Sequence, residues 1–341
     1  MDTLLLNANL PDDVSKAAQI IKDGGLVAFA TETVYGLGGL ALNEKSIQKI
    51  FDAKERPAHN PLIVHVSSTD QARALFDFSK SHDPQKAKQR FETLADYFWP
   101  GPLTLVGNKS STIPNLATAG LNKVAVRIPN HPIALSLLSQ VKEPVVAPSA
   151  NASNRPSSTC AEHVVKTLSG KIDAVLDAGS CQYGLESTVV DISTEKPLLL
   201  RMGAISAQTL MGLLPDLGVR PLGQTTHESH GSPGLVSKHY APLNKKIDVA
   251  DFNRLNHAWN TPTALLLRQS TAQKLEKEQG PRLGPIEILS DDPVLFAHDF
   301  YAALYRLEGT QLMHVLIEEV PNEDLWQSVK DRILRASSDA D

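Results

Sequence analysis

Residues that can bind phosphate or carboxylate groups lie close together between Gly24 and Val66. The glycines Gly36, Gly38 and Gly39 follow a short apolar run, and the cationic triplet Lys54-Glu55-Arg56 lies further along. Glycine lets backbone N–H groups approach an anion, and lysine and arginine add charge beside phosphate oxygens. The segment therefore suits a phosphate site, although plain turns and solvated helix ends are the commoner explanations. It matches neither GxxxxGK[ST] nor GxGxxG.

A second pair of cations lies in the run NKVAVRIP. Lys123 and Arg127 fall on one face of a predicted strand, because alternate residues of a strand point to the same side. Both could point to solvent. An inward arginine would instead need an anionic partner, and a carboxylate matches its planar fork. The spacing leaves both readings open.

Two loops supply further candidate groups. The run PVVAPSANASNRPSST ends an apolar strand with small hydroxyl and amide residues, so Ser149 and Asn151 could donate hydrogen bonds at the mouth of a sheet. A long connector rich in Gly, Pro, Ser and His carries His239 and Tyr240, which could fold back over a site. An HxxH pair in the connector has no third ligand nearby, so we predict no metal site.

Regular elements must position these groups. We predict a helix over Asp12 to Asp23, a strand over Leu26 to Ala30 and a glycine turn. A helix capped by Asn43 then ends before Pro57, and a strand follows over Leu62 to Val66. In that strand Ile63 and His65 share one face.

The C-terminal third repeats a strand–helix pattern. Four runs alternate with helices and predict a small parallel α/β domain; they are KIDVA, TALLL, PIEIL and HVLIEEV. We place the domains at residues 10–207 and 245–338, with a connector at residues 208–244.

Composition limits the class of protein. Hydrophobic residues make up 42% of the 341 residues and charged residues 21%, which is ordinary for a globular protein. The net charge of −5 argues against general coating of nucleic acid. Cys160 and Cys181 are too few for a disulfide framework. The N-terminal residues lack a basic signal-peptide region, and no apolar run is long enough for a membrane, so we expect a cytoplasmic protein.

The order of motifs is specific. From the N-terminus they read TETVYGLG, KxRPxxxPLIVHV, WPGPLTLV, VAVRIPNHP, APSAN, ESTVVD, RMGAI and SPGxxxxHYAP. This series closely resembles the Sua5/YrdC/YciO family of threonylcarbamoyl-AMP synthases. Ala30 departs from it, because the family usually has proline before TETVYG. The run DRILRAS resembles the C-terminal Sua5 domain, which shorter YrdC-type relatives lack.

The resemblance implies a fold and an activity. The fold would be a twisted mixed α/β YrdC-like domain with a large concave cavity, a connector that acts as a lid, and a small Rossmann-like parallel α/β C-terminal domain. The enzyme would be a nucleotidyltransferase that condenses L-threonine, bicarbonate or CO2, and ATP into L-threonylcarbamoyladenylate and pyrophosphate. A transferase complex would then modify tRNA, giving t6A. Mg2+ would arrive with the triphosphate.

The resemblance also implies roles for individual residues. The threonine site would comprise Thr33, His65, Arg127, Ala147 and Ser187. The ATP site would comprise Arg56, Asn60, Lys123, Ser149, Ser157, Arg201 and His239. Lys54 and Arg56 would act in catalysis at the phosphates.

Two other functions remain in view. A carbamoyltransferase of hydrogenase maturation also contains a YrdC-like module, but such chains are longer and carry zinc-finger cysteine pairs, whereas this chain has two cysteines. A non-catalytic module that binds double-stranded RNA in the cavity is the alternative. The charge of −5 counts against it, although weak RNA binding is compatible with a local basic site.

Overall fold

The computed structural model describes residues 2–221, 240–282 and 284–337, which form two sheets with helices packed on them. Within the described residues the first sheet has eleven strands: β1 Leu4–Asn7, β2 Val27–Phe29, β3 Gly36–Leu40, β4 Ile63–His65, β5 Leu103–Asn108, β6 Lys123–Arg127, β7 Val145–Val146, β8 Ala174–Asp177, β9 Thr188–Asp191, β10 Leu198–Arg201 and β11 Gly218–Val219. The helices of this part are α1 Pro11–Lys22, α2 Glu44–Lys54, α3 Thr69–Ala74, α4 Pro84–Phe98, α5 Pro132–Val141, α6 Ala161–Leu168 and α7 Ala207–Met211.

The second sheet lies in the C-terminal part. Its elements are β12 Lys246–Ala250, α8 Phe252–Ala258, β13 Ala264–Arg268, α9 Gln269–Gln279, β14 Ile286–Leu289, α10 Pro293–Glu308, β15 His314–Glu318 and α11 Gln327–Ala336. The strand order is β12-β15-β13-β14, and every adjacent pair is parallel. The parallel α/β prediction for this region is therefore confirmed. The short helix α8 was not predicted.

The first sheet is mixed, as the resemblance implied. Its order is β1-β8-β2-β3-β7-β4-β6-β5-β9-β10-β11. β4 pairs with β6 in parallel and with β7 in antiparallel orientation. This pairing sets His65 beside Arg127 in register, so both residues lie at the same ends of neighbouring strands.

Local sequence rules account for the elements around the site. The Asn43 side chain accepts hydrogen bonds from the backbone N–H groups of Lys45 and Ser46, which confirms it as the cap of α2. α2 ends at Lys54, and Glu55 takes a left-handed conformation with φ of 53°. In β4 the side chain of Val64 joins the main core, whereas Ile63 and His65 face the opposite way. The predicted alternation is confirmed.

The predicted glycine turn is wrong. Gly36 to Leu40 form strand β3, which pairs with β2 and β7 and uses its backbone groups in the sheet. The glycines are required by side-chain packing. A Cβ atom at Gly38 would lie 2.8 Å from the Phe29 ring, and one at Gly36 would lie 3.1 Å from Ala147 Cβ. The close approach in the sheet is to side chains of neighbouring segments.

The two parts of the chain are tightly joined. Tyr305 of α10 donates a hydrogen bond of 2.8 Å to the carbonyl of Pro156 and stacks on His163 at 4.0 Å between ring centroids. Arg155 and Glu308 form a nearly buried ion pair of 2.5 Å across the same junction. No helix in residues 2–221, 240–282 or 284–337 has the length and apolar character needed to cross a bilayer.

Candidate functional site

A pocket opens where several strands of the first sheet begin or end. β4 ends at His65, β6 at Arg127 and β10 at Arg201, while Ser187 precedes β9. The pocket is lined by Thr31, Thr33, Val34, Gly36, Arg56, Ile63, His65, Arg127, Ala147, Pro148, Ser149, Glu186, Ser187, Arg201 and Tyr240. Such a convergence of strand ends is a common place for a ligand in α/β sheets.

Three buried arginines give the pocket its charge. Arg56, Arg127 and Arg201 are 8%, 4% and 5% exposed. Burial lowers the pKa of Arg56 to about 10, which still leaves it charged at neutral pH. Among the described residues that line the pocket, Glu186 is the one acid. The excess of cations suits an anionic ligand.

Arg127 is held on three sides. Its Nη1 donates to Thr33 Oγ1 at 2.8 Å and its Nε to the carbonyl of Gly101 at 3.3 Å. Its Nη2 lies 2.8 Å from the Glu32 carboxylate, in an ion pair whose angle is too oblique for a hydrogen bond. The anionic partner expected for an inward arginine is therefore present in the protein itself, as Glu32. These contacts fix the guanidinium beside the pocket.

His65 is a neutral side chain in this setting. Burial, followed by the charge of Arg127, lowers the pKa of His65 to about 3. Its Nδ1 lies 3.3 Å from the carbonyl of Ile63. An uncharged imidazole can accept or donate a hydrogen bond without adding positive charge next to Arg127.

Ser187 and Arg201 are hydrogen-bonded to each other in the lining of the pocket. Arg201 Nε donates to the Ser187 carbonyl at 3.0 Å, and its Nη2 donates to Ser187 Oγ at 3.1 Å. Ser187 Oγ also lies 2.7 Å from Thr104 Oγ1. The hydroxyl and the guanidinium are thus positioned by each other.

Comparison with known proteins places this geometry in a family. A family model described as "Telomere recombination" (Sua5, YciO, YrdC) matches residues 19–203. A second model, described as "Threonylcarbamoyl-AMP synthase, C-terminal domain", matches residues 205–338. The chain belongs to the Sua5/YciO/YrdC family.

Relatives cover nearly the whole chain. It is 37% identical to a threonylcarbamoyl-AMP synthase of Pyrococcus abyssi (strain GE5 / Orsay) over 94% of this chain and 93% of the relative. It is 34% identical to a threonylcarbamoyl-AMP synthase of Schizosaccharomyces pombe over 95% of this chain and 88% of the relative. A crystal structure of P. abyssi Sua5 complexed with L-threonine matches with a TM-score of 0.87 at 33% identity, covering 99% of this chain and 98% of that one.

The pocket of this family member brings together eight of the thirteen site residues that the resemblance implied. They are Thr33, Arg56, His65, Arg127, Ala147, Ser149, Ser187 and Arg201. They come from separate loops and strand ends spread over about half of the chain, so their convergence supports the motif series as one site.

Four other predicted site residues lie outside the lining of the pocket. Lys54 Nζ donates to the carbonyls of Ser149 and Asn151, and burial followed by the charge of Arg56 lowers the pKa of Lys54 well below its ordinary value. Lys123 Nζ pairs with Asp191 at 2.6 Å. The two remaining residues, Asn60 and Ser157, are buried and bonded to the pocket residues Arg56 and Glu186, respectively.

Most of the predicted connector lies outside the described residues. His239 lies outside them too, so its assignment to ATP stays a prediction. Its neighbour Tyr240 is described, lines the pocket and is 1% exposed. Tyr240 adopts a φ of 75° and packs on Tyr301 with 5.4 Å between ring centroids.

Sequence reasoning missed two acids. Glu32 lies within TETVYG and Glu186 within ESTVVD, so the motifs pointed to their neighbours without assigning the acids a role. Within the described part of the chain no group of three or more His, Cys, Asp or Glu residues could hold a metal ion.

Proposed function

We propose that this protein is an L-threonylcarbamoyladenylate synthase that uses L-threonine, bicarbonate or CO2, and ATP, and releases pyrophosphate. The observation that supports this function best is a single pocket lined by Arg127, His65 and Thr33 and also by Arg56 and Arg201. Several guanidinium groups in one pocket allow a small amino acid and a polyphosphate to be held side by side. The relatives named threonylcarbamoyl-AMP synthase support the same assignment.

Threonine would bind at the end that contains Arg127. The guanidinium is oriented by Thr33 and Glu32, and its remaining N–H donors would bind the substrate carboxylate. Ala147 lines the same pocket, where its small side chain would leave room for the threonine methyl group, and Ser187 would bind the substrate hydroxyl.

ATP would bind towards Arg56, Ser149 and Arg201, with His239, Asn60, Lys123 and Ser157 as further predicted contacts. Arginine forks match phosphate oxygens, and their burial strengthens the attraction because little water screens it. Mg2+ would enter with the triphosphate and neutralise part of its charge. The amine of Lys54 would act through the loop it holds, since its donors bond the carbonyls of Ser149 and Asn151.

The reaction needs positioning more than a nucleophilic side chain. The threonine amine, after losing a proton, would add to CO2 and give a carbamate. A carbamate oxygen would then attack the α-phosphorus of ATP, and pyrophosphate would leave with the bond electrons. Arg56 and Arg201 would stabilise the charge that develops on the phosphates, and the neutral His65 would contact the substrate amine without repelling it.

The product would serve tRNA modification. A partner transferase complex would receive the adenylate and pass the threonylcarbamoyl group to tRNA, giving t6A, and we place this chemistry in the cytoplasm. The protein would then be a nucleotidyltransferase with no membrane partner.

Pyrophosphate release by the purified protein tests the proposal. Release should require ATP, L-threonine and bicarbonate together, and omission of any one should reduce it to background. Mass spectrometry should identify threonylcarbamoyl-AMP as the second product. Pyrophosphate release that does not depend on threonine would contradict the proposed function. In the same preparation, salt-dependent binding of double-stranded RNA without turnover would favour the RNA-binding alternative.

A further inference from the structure

Arg332 of α11 contacts the pocket residue Glu186 although it belongs to the C-terminal part of the chain. It is fully buried, and its Nε donates to Glu186 Oε2 at 2.8 Å. Its Nη2 donates to the carbonyl of Met202 at 2.9 Å. One guanidinium thus bridges the residue before Ser187 and the residue after Arg201.

The Glu186 carboxylate accepts hydrogen bonds from both parts of the chain. Besides Arg332, its carboxylate accepts hydrogen bonds from the hydroxyls of Ser157 and Tyr301, the latter at 3.1 Å. Burial opposes its ionisation, but the charges of Arg332 and Arg201 hold the pKa of Glu186 at about 2. Glu186 is therefore a buried anion in a pocket that has to attract anions.

The C-terminal part supplies the nearer of two possible counterions. Arg332 bonds Glu186 directly, whereas Arg201 is engaged by Ser187, and both Arg201 and Glu186 line the pocket. If Arg332 lost its charge, Arg201 would be the remaining strong partner for the Glu186 carboxylate. A buried charge without its counterion is costly, so the side chains would rearrange to pair.

We propose that Arg332 is a positioning residue which neutralises Glu186 and so prevents that carboxylate from competing with the nucleotide for Arg201. The C-terminal domain would then complete the charge balance of the ATP site. This inference rests on the proposed function, because it takes the polyphosphate to bind at Arg201. It assigns Arg332 no contact with the substrate.

Calorimetric titration with ATP tests the role of Arg332. Arg332→Gln removes the charge and should weaken ATP binding about tenfold, the usual consequence of disturbing one charge-assisted contact, with a smaller effect on threonine. The double variant Glu186→Gln, Arg332→Gln removes both charges and should bind ATP within about threefold of wild type.

The junction offers a matched control. Glu308→Gln breaks the nearly buried ion pair with Arg155 between the same two parts of the chain, but Glu308 does not line the pocket. It should shift the thermal unfolding midpoint while ATP affinity stays within about twofold of wild type. A loss of ATP affinity in Glu308→Gln equal to that in Arg332→Gln would show that any weakening of the junction suffices, and would overturn the inference.

The double variant decides the question even if Arg332→Gln fails to fold. A tenfold loss of ATP affinity in the folded double variant would overturn the inference, because that variant preserves the charge balance. The proposed function is judged separately by threonine-dependent pyrophosphate release of the wild-type protein. If wild type binds ATP but releases no pyrophosphate, the function fails while the titrations still judge Arg332. Absence of ATP binding by wild type would overturn both.

Discussion

The Arg127 guanidinium lies 2.8 Å from the Glu32 carboxylate, and their side chains are only 4% and 2% exposed. The arginine that we assign to the threonine carboxylate therefore already has a carboxylate partner within the fold. Removal of one member of a buried pair leaves an uncompensated charge. The effects of mutation on stability and on substrate binding must accordingly be separated.

Arg127→Ala should raise the KM for threonine at least tenfold with a much smaller effect on the KM for ATP, because the threonine carboxylate loses the guanidinium that binds it. It should also lower the free energy of unfolding by about 3–5 kcal/mol, since Glu32 is left buried without a counterion. Kinetics of pyrophosphate release and denaturant unfolding measure the two effects. The double variant Glu32→Gln, Arg127→Ala should regain stability without regaining threonine use. Equal losses for threonine and ATP would refute the assignment of Arg127.

Lys54→Met should loosen the loop that carries Ser149, because both carbonyls bonded by the amine lie there. Loss of each hydrogen bond should cost about 0.5–1.5 kcal/mol of stability. The KM values for ATP and threonine should both rise, since Ala147, assigned to threonine, and Ser149, assigned to ATP, both line the pocket. Hydrogen exchange of residues 149–151 should become faster. A rise in the KM for ATP alone, with unchanged exchange, would instead indicate direct contact between Lys54 and phosphate.

Gly184→Ala should weaken the junction between the two parts of the chain. Gly184 has φ of 71°, and an added Cβ would lie 2.6 Å from His298 Cα and clash with the His298 carbonyl in α10. Gly179→Ala is the matched control, since Gly179 has φ of 78° but nothing within 4 Å of an added Cβ. In both variants alanine in the left-handed conformation should cost about 1 kcal/mol of stability. Only Gly184→Ala should lose more stability than this, and also turnover, because of the clash. Thermal unfolding midpoints that fall equally in the two variants would argue against the clash.

Stability should fall in acid partly through His65. Its pKa is about 3 in the folded protein and 6.5 ordinarily, so below the ordinary pKa the unfolded chain binds a proton that the folded protein does not. The resulting loss approaches about 1.4 kcal/mol per pH unit between roughly pH 5.5 and pH 4 and is absent above the ordinary pKa. His65→Gln should show a correspondingly shallower decline of unfolding free energy with falling pH. Parallel declines in the two proteins would show that His65 is protonated in the fold.

Local patterns allowed much of the fold to be predicted. The Asn43 cap, the alternation in β4 and the parallel C-terminal sheet each follow from short-range rules that the structure obeys. The glycines of β3 led to a wrong prediction. Glycines that make room for the Phe29 ring in a sheet give the same local composition as glycines in a turn. The requirement comes from a neighbouring strand, which local spacing does not encode.

The site was predictable only in part. The motif series named eight residues that line one pocket, but residue type alone did not show how each polar group is bonded. Lysine is a residue type that often binds phosphate, yet the Lys54 amine donates hydrogen bonds to two backbone carbonyls. The partnership of Glu186 with Arg332 joins residues 146 positions apart, and no pattern in either segment indicates it.

That separation of 146 residues also has a meaning for biosynthesis. At about 5–20 residues per second, the ribosome makes Glu186 on the order of ten seconds before Arg332. During most of that interval a nascent first domain would carry Glu186 beside Arg201, with neither Arg332 nor Tyr301 present to bond the carboxylate. The Glu186 carboxylate would therefore be neutralised, and the nucleotide pocket completed, only after α11 has been made and the C-terminal sheet has docked.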